Sequence, residues 1–263
     1  MRAGARGHPS PWTVGRTGDG RMGTLSPVRI LLLALVRLAT AVAALVGVVA
    51  QYLVNLAYWQ GLGVTGVAGK SLDFLLFFTI ESNLLGMVVL VVGGVRLLRG
   101  RVADPSTAWV TLRLATTVYL LITGIVWNVL LRGQPGPPEL ELDWANQIVH
   151  VAVPAIVLLD WLVAPDRRPL RAGALGRVVL FPLAWVLVTL LRGPVTGDQV
   201  HGSATYYPYG FLDPASSPDG YGMVAAYVLG LTAVVCAITL VLIRTSRRRE
   251  AVVPLPVAVP AIR

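Results

Sequence analysis

Six apolar stretches, each long enough to cross about 30 Å of hydrocarbon as a helix of roughly 20 residues, constrain this chain more than any other feature. They lie near 30–50, 74–98, 108–131, 145–163, 174–191 and 221–243. With 55% hydrophobic and only 13% charged residues, the chain is too apolar for a soluble domain. The first stretch is long, carries Arg37 and lacks a small-residue cleavage site, so it reads as a retained span and not as a signal peptide. The expected fold is all-α: a polytopic membrane bundle of six transmembrane helices over residues 29–245. Gly-, Arg- and Pro-rich residues 1–28 and the proline-punctuated residues 246–263 read as unstructured tails.

The basic residues set an orientation. Of 22 Lys and Arg, Arg37 and Arg113 fall inside spans, and 17 of the others lie in the two tails, the 96–101 turn and the 167–177 connection. The opposite connections carry only Lys70, Arg132 and Arg192, beside the acidic Glu139, Glu141, Asp143, Asp198, Asp213 and Asp219. By the positive-inside rule both termini are expected in the cytoplasm, with the chain a multi-pass protein of the cell membrane. The net charge of +9 is not interleaved with aromatic residues on a patch, so no nucleic-acid partner is expected. The one cysteine, Cys236, allows no internal disulfide, and no metal-ligand spacing exists. No metal or cofactor is called for.

Polar groups in hydrocarbon are costly and normally face the bundle interior or a watered cavity. In "LDFLLFFTIESN" (72–83) helical spacing puts Thr79, Ser82 and Asn83 on one stripe with Gly86, and Glu81 on the opposite side. The fourth span aligns Asp143, Asn146, Gln147, His150 and Pro154, and the third aligns Thr117, Gly124 and Asn128. If the second span begins near Leu72 and the fourth near Trp144, Thr79 and His150 both sit about 10 Å below the outer surface. A polar cavity in the outer half would collect them. Glu81 reads as a catalytic or proton-carrying carboxylate, or as a partner of Arg192 or Gln51. Arg37 and Arg113 are expected to snorkel to the inner headgroups, and Asp160 to pair with Arg167 or Arg168.

The chemistry these residues permit is acyl transfer. A neutral His150 can take the proton of the Thr79 hydroxyl as it attacks an ester carbonyl, with Asn83, Asn128 or Asn146 donating to the oxyanion. Residues 192–220 form the longest connection and contain Tyr206, Tyr207 and Tyr209 around Pro208. Tyr207, Pro208 and Asp213 are the expected lid over the cavity, and His201 is a second, exposed base. A carrier reading stays open beside this one, resting on Glu81, Asp160 and the arginines within spans. It calls for a repeat relating spans one to three and four to six, and the sequence shows none.

The stretches "FFTIESNLL" (77–85), "NQIVHVAVPAIVLLDW" (146–161) and "YYPYGFLDP" (206–214), in this order on six spans, resemble the bacterial Pr-six-Pr membrane proteins. More distantly they are similar to the androgen-induced-gene (AIG/ADTRP-like) family of integral membrane threonine hydrolases. The resemblance covers nearly all of residues 30–245. It implies hydrolysis of fatty acid esters of hydroxy fatty acids, a lipid substrate drawn from the bilayer, by a threonine matching Thr79 and a histidine matching His150. The topology is testable: a reporter fused after Arg249 is expected to read cytoplasmic, and an extracellular reading would reverse the orientation.

Overall fold

The computed structural model describes residues 26–101, 105–133 and 142–247, and the backbone of Thr13–Arg16 and Met22–Thr24, which pair antiparallel as β1 and β2. The rest of the expected tails lies outside the described residues. Among the described residues six helices are long and apolar enough to cross a membrane. The chain is therefore a multi-pass all-α bundle.

In chain order the helices are α1 (Pro27–Gly61), the short α2 (Val67–Leu75), α3 (Phe78–Leu98) and α4 (Thr107–Val126), which ends in a π-helical turn, Trp127–Leu131. Next come α5 (Asp143–Gln147) and α6 (Val153–Val163), joined through a second π-helical turn at Ile148–Ala152 into one crossing, then α7 (Ala174–Arg192) and α8 (Tyr221–Arg247). Six crossings return the chain to its starting side. The start of α1 and the end of α8 thus share one end of the bundle, and the 196–220 connection lies at the other, here called the loop end.

Two boundaries differ from the sequence expectation. Helix α1 continues to Gly61, well beyond residue 50. The expected 74–98 span is interrupted at Phe77, whose backbone is extended (φ −64°, ψ 131°), so the crossing starts at Phe78. Trp185 Nε1–H donates to the Leu76 carbonyl at this break at 2.9 Å, satisfying a group that a continuous helix would have bonded internally. Thr79 therefore occupies the first turn of α3 and not a position two turns down.

Helix α4 is the centre of the bundle. Leu114, Val118 and Tyr119 pack with Trp161, Val178 and Val235 of the surrounding helices, and Leu120 packs with Ala44 and Leu90 on another side. Small residues set the close approaches: a Cβ on Gly86 would lie 3.0 Å from Leu120, and one on Gly94 would lie 3.1 Å from Leu38.

Arg37 and Arg113 do not snorkel. Arg37 is 1% exposed; its Nε meets Asp160 Oδ1 at 2.8 Å and its Nη2 meets Asp166 Oδ1 at 2.7 Å. Arg113 completes the cluster through Asp160 Oδ2 at 2.6 Å and Asp166 Oδ1 at 2.8 Å. Asp160 therefore pairs with these two arginines, while Arg167 donates to the Leu162 carbonyl and Arg168 to that of Pro105. Two cations and two anions cancel in the dry interior, where each alone would carry a desolvation penalty of several kcal/mol. Burial by itself would raise the Asp166 carboxyl, but the Arg113 charge and the Arg37 hydrogen bond hold it below the usual range. Its contribution to stability is thus present above the unfolded carboxylate value and is lost as pH falls through the lower folded one.

Breaking the cluster on one side leaves an uncompensated buried charge. Arg37→Ala is expected to cost about 3–5 kcal/mol. The pair Arg37→Met with Asp160→Leu is expected to cost clearly less than the sum of the two single changes, as read from unfolding midpoints in detergent.

Candidate functional site

The break at Phe77 creates a helix start inside the protein, and the first amides of a helix have no intrahelical acceptor. The hydroxyl of Tyr209, from the long connection, fills this position, accepting the Thr79 N–H at 3.5 Å. It also lies 3.3 Å from Thr79 Oγ1. Either hydroxyl can donate in this contact. Burial raises the Tyr209 pKa above the ordinary tyrosine value, so the hydroxyl keeps its proton.

On the other side of Thr79 Oγ1, His150 Nε2 stands at 3.4 Å. Its Nδ1 faces the Asn146 backbone carbonyl at 3.1 Å. A carbonyl only accepts, so Nδ1 carries the proton and Nε2 presents its lone pair to the threonine. The ring is held flat against Trp127, with centroids 4.9 Å apart and planes 13° apart, and the Arg132 guanidinium lies 5.0 Å over the Trp127 ring.

Local sequence explains why the imidazole sits there. Pro154 has no N–H to give the His150 carbonyl four residues earlier, and the helix widens into the π-helical turn, with Val153 N–H reaching back to Ile148. Opposite, Gly124 lets α4 approach until a Cβ on it would lie 2.7 Å from the His150 backbone oxygen.

Thr79 and His150 line a chamber of about 590 Å³ at the loop end, a volume typical of small-molecule sites. Gln51, Asn55, Lys70, Asp73, Asn146 and Tyr58 place polar groups in its wall. The 196–210 segment closes over it. Lys70 Nζ bonds Asp198 Oδ1 at 2.8 Å, His201 Nδ1 meets Asp198 Oδ2 at 2.6 Å, and Arg192 pairs with Asp73. Burial alone would raise the Asp198 carboxyl, but the Lys70 and His201 hydrogen bonds bring it down to about 2. This clasp therefore contributes fully above about pH 4 and is lost only as pH falls toward 2.

The remaining expected site residues divide. Tyr207 and Pro208 line the chamber roof, the Tyr207 ring lying against Gly193, where no side chain could fit. Asp213 is no lid: it caps the turn Pro214–Ser216 by accepting the Ala215 N–H at 2.9 Å. Asn83 is not an oxyanion donor, because it is fully buried and its amide is spent on the carbonyls of Thr79 (2.9 Å) and Val149 (3.4 Å), tying α3 to the histidine turn. Asn128 is also engaged, donating to the Gly124 carbonyl and accepting from Arg132. The Asn146 side chain lines the chamber, while its backbone orients His150. Glu81 does not pair with Arg192, whose partner is Asp73, and its buried Oε2 has no hydrogen-bond partner. His201 is not a loose base but part of the clasp.

Two residues that were not expected at the site, Tyr209 and Trp127, contact the pair directly: Tyr209 at the Thr79 hydroxyl and Trp127 against the His150 ring. Tyr209 belongs to the aromatic group already conspicuous at 206–209, but spacing does not tell which tyrosine turns inward. No protein-family model, curated protein or solved structure matches the chain.

Gly124→Ala tests the geometry. Its methyl meets backbone, which cannot rotate away, so an overpacking cost of about 1–3 kcal/mol is expected in thermal unfolding. The His150 turn should be displaced from Thr79, giving weaker reactivity of the threonine toward an electrophilic probe.

Proposed function

We propose that the protein is a membrane-embedded hydrolase of lipid esters, of the kind in which a fatty acid is esterified to a hydroxy fatty acid, with Thr79 as nucleophile and His150 as general base. The observation that carries this reading is the run of contacts from the Tyr209 hydroxyl through Thr79 Oγ1 and His150 Nε2 to the Asn146 carbonyl, set in the wall of a chamber of ligand size. Its spacings of 3.3–3.4 Å are long for hydrogen bonds, as is common before a substrate draws nucleophile and base together. The resemblance of the three quoted stretches to threonine hydrolases of membranes points the same way.

Thr79 Oγ1 forms a bond to the ester carbonyl carbon while its proton passes to His150 Nε2. The Tyr209 O–H turns from the threonine to the carbonyl oxygen as that oxygen becomes an oxyanion, aided by the positive end of α3. The bond to the alcohol oxygen then breaks, and the imidazolium returns its proton to that oxygen. Water, deprotonated by the same imidazole, frees the acid and regenerates Thr79. The segregation of basic residues supports a cell-membrane protein with cytoplasmic termini, an orientation in which the chamber would face the outer leaflet.

The carrier reading draws on Glu81, whose buried Oε2 lacks a hydrogen-bond partner. Against it, the chamber's lining ends at Gly47, Ile80 and His150, and the Leu90–Leu120 core and the arginine–aspartate cluster fill the bundle beyond.

A nucleophile and its base act as a unit. Thr79→Ala and His150→Ala are each expected to abolish ester turnover and fluorophosphonate labelling to a similar degree, and the double variant to lose little more. Ser82→Ala, buried one turn along outside the chamber, should keep most activity. Full labelling of Thr79→Ala would place the nucleophile elsewhere. Inert protein of every version, beside proton-coupled uptake that fails in Glu81→Gln, would favour the carrier.

A further inference from the structure

Thr79 lies in a wall between two spaces of different lining. One is the chamber, apolar over most of its surface but carrying Gln51, Asn55, Lys70, Asp73 and Asn146. The other is a narrow slot of about 80 Å³ among α4, α7 and α8, and the two share Thr79, Leu131 and Tyr209. Among the described residues no charged side chain lines the slot; Val126, Val186, Leu231 and Val235 represent its surface. It runs from Tyr209 and Phe211 inward, and Val228 and Val235, both on its wall, are seven residues apart on α8, so it is about 10 Å deep. Its far end is closed by Ile122 and Val235, both nearly fully buried. Leu183, on its flank, is exposed on the surface that lipid would cover.

His150 lines the chamber and not the slot. Under the hydrolase reading, on which this step rests, the imidazolium must hand its proton to the leaving alcohol oxygen, so that oxygen has to be on the chamber side of Thr79. The acyl arm leaves the same carbonyl carbon in another direction, and the slot is the space open to it there. We infer that the ester binds divided, with its acyl chain in the α4–α7–α8 slot and its alcohol portion in the chamber. The slot admits one unbranched hydrocarbon arm, with Val235 at its end as the measure of chain length. The chamber, more than seven times larger and with amide and charged side chains among its apolar lining, takes a bulkier alcohol carrying polar groups and also holds the water for deacylation.

The test uses full-length protein in nanodiscs and two ester series: p-nitrophenyl esters of lengthening acyl chain, and butyrate esters of enlarging alcohol. Val235→Phe is expected to lower kcat/KM for the longest accepted acyl chain about tenfold relative to the acetate ester and to move the optimum to shorter chains. Leu231→Ala should move the optimum to longer chains, a gain that misfolding cannot imitate. Asn55→Trp, in the chamber, should leave the acyl optimum in place and cut turnover of the bulkier alcohols. If the slot variants alter the alcohol series, or neither series, while wild-type protein turns over esters, the division of the substrate is overturned and the hydrolase reading stands. If wild-type protein hydrolyses no ester, both fall together.

Discussion

Two arginines and two aspartates in a place without water fix how this bundle stands. Arg37, Arg113, Asp160 and Asp166 come from α1, α4, α6 and the connection after it, and each satisfies two others. Any sliding or rotation of one helix would strand a charge in hydrocarbon at a cost of several kcal/mol. Apolar side chains pack almost equally well in several registers, since lipid tails are as apolar as leucine and provide no hydrophobic drive to choose among them. The ionic cluster supplies that choice at the termini end. With α1, α4 and α6 registered there, the height at which His150 meets Trp127 and α3 at the loop end follows.

The candidate site is built from interruptions of helix. The break at Phe77 exposes the amides of the first turn of α3, and Pro154 opens the π-helical turn that bears His150. In hydrocarbon such irregular backbone persists only where protein or a watered cavity satisfies it. Tyr209, Trp185 and Asn83 do so here, by bonding Thr79 N–H, the Leu76 carbonyl and the carbonyls of Thr79 and Val149. The side chains that repair the backbone are thus the ones that hold Thr79 and His150 at 3.4 Å. Asn83 marks this double use clearly: as an oxyanion donor it would have to release a carbonyl of the very turn it positions.

Parts of this arrangement were legible in residues alone. The stripe of Thr79, Ser82 and Asn83, and that of Asn146, His150 and Pro154, follow from helical spacing, and the structure brings the two together. Depth did not follow, because the extended residue at Phe77 is flanked by leucine and phenylalanine on both sides and carries no glycine or proline to announce it. Asp213 and Tyr207 looked equivalent as lid residues. Only the fold of the connection separates a capping carboxylate from a roof ring.

By itself the sequence determined that the chain carries six segments long and apolar enough to cross a membrane, because transfer of a helix into hydrocarbon is close to a sum over its own residues, though not where each helix begins and ends. It also determined which few polar groups would have to be sheltered. The tertiary structure decided who shelters whom: Asp160 with Arg37 and Arg113 and not with its neighbours Arg167 and Arg168, Arg192 with Asp73 and not with Glu81, Thr79 with Tyr209. Those partners come from different helices and from the long connection, across 47 to 130 residues in the ion pairs of Arg113 and Arg37 and in the Tyr209 contact. An ion pair or hydrogen bond depends on angles and separations of a few ångströms, and no local pattern in a helix encodes the position of another.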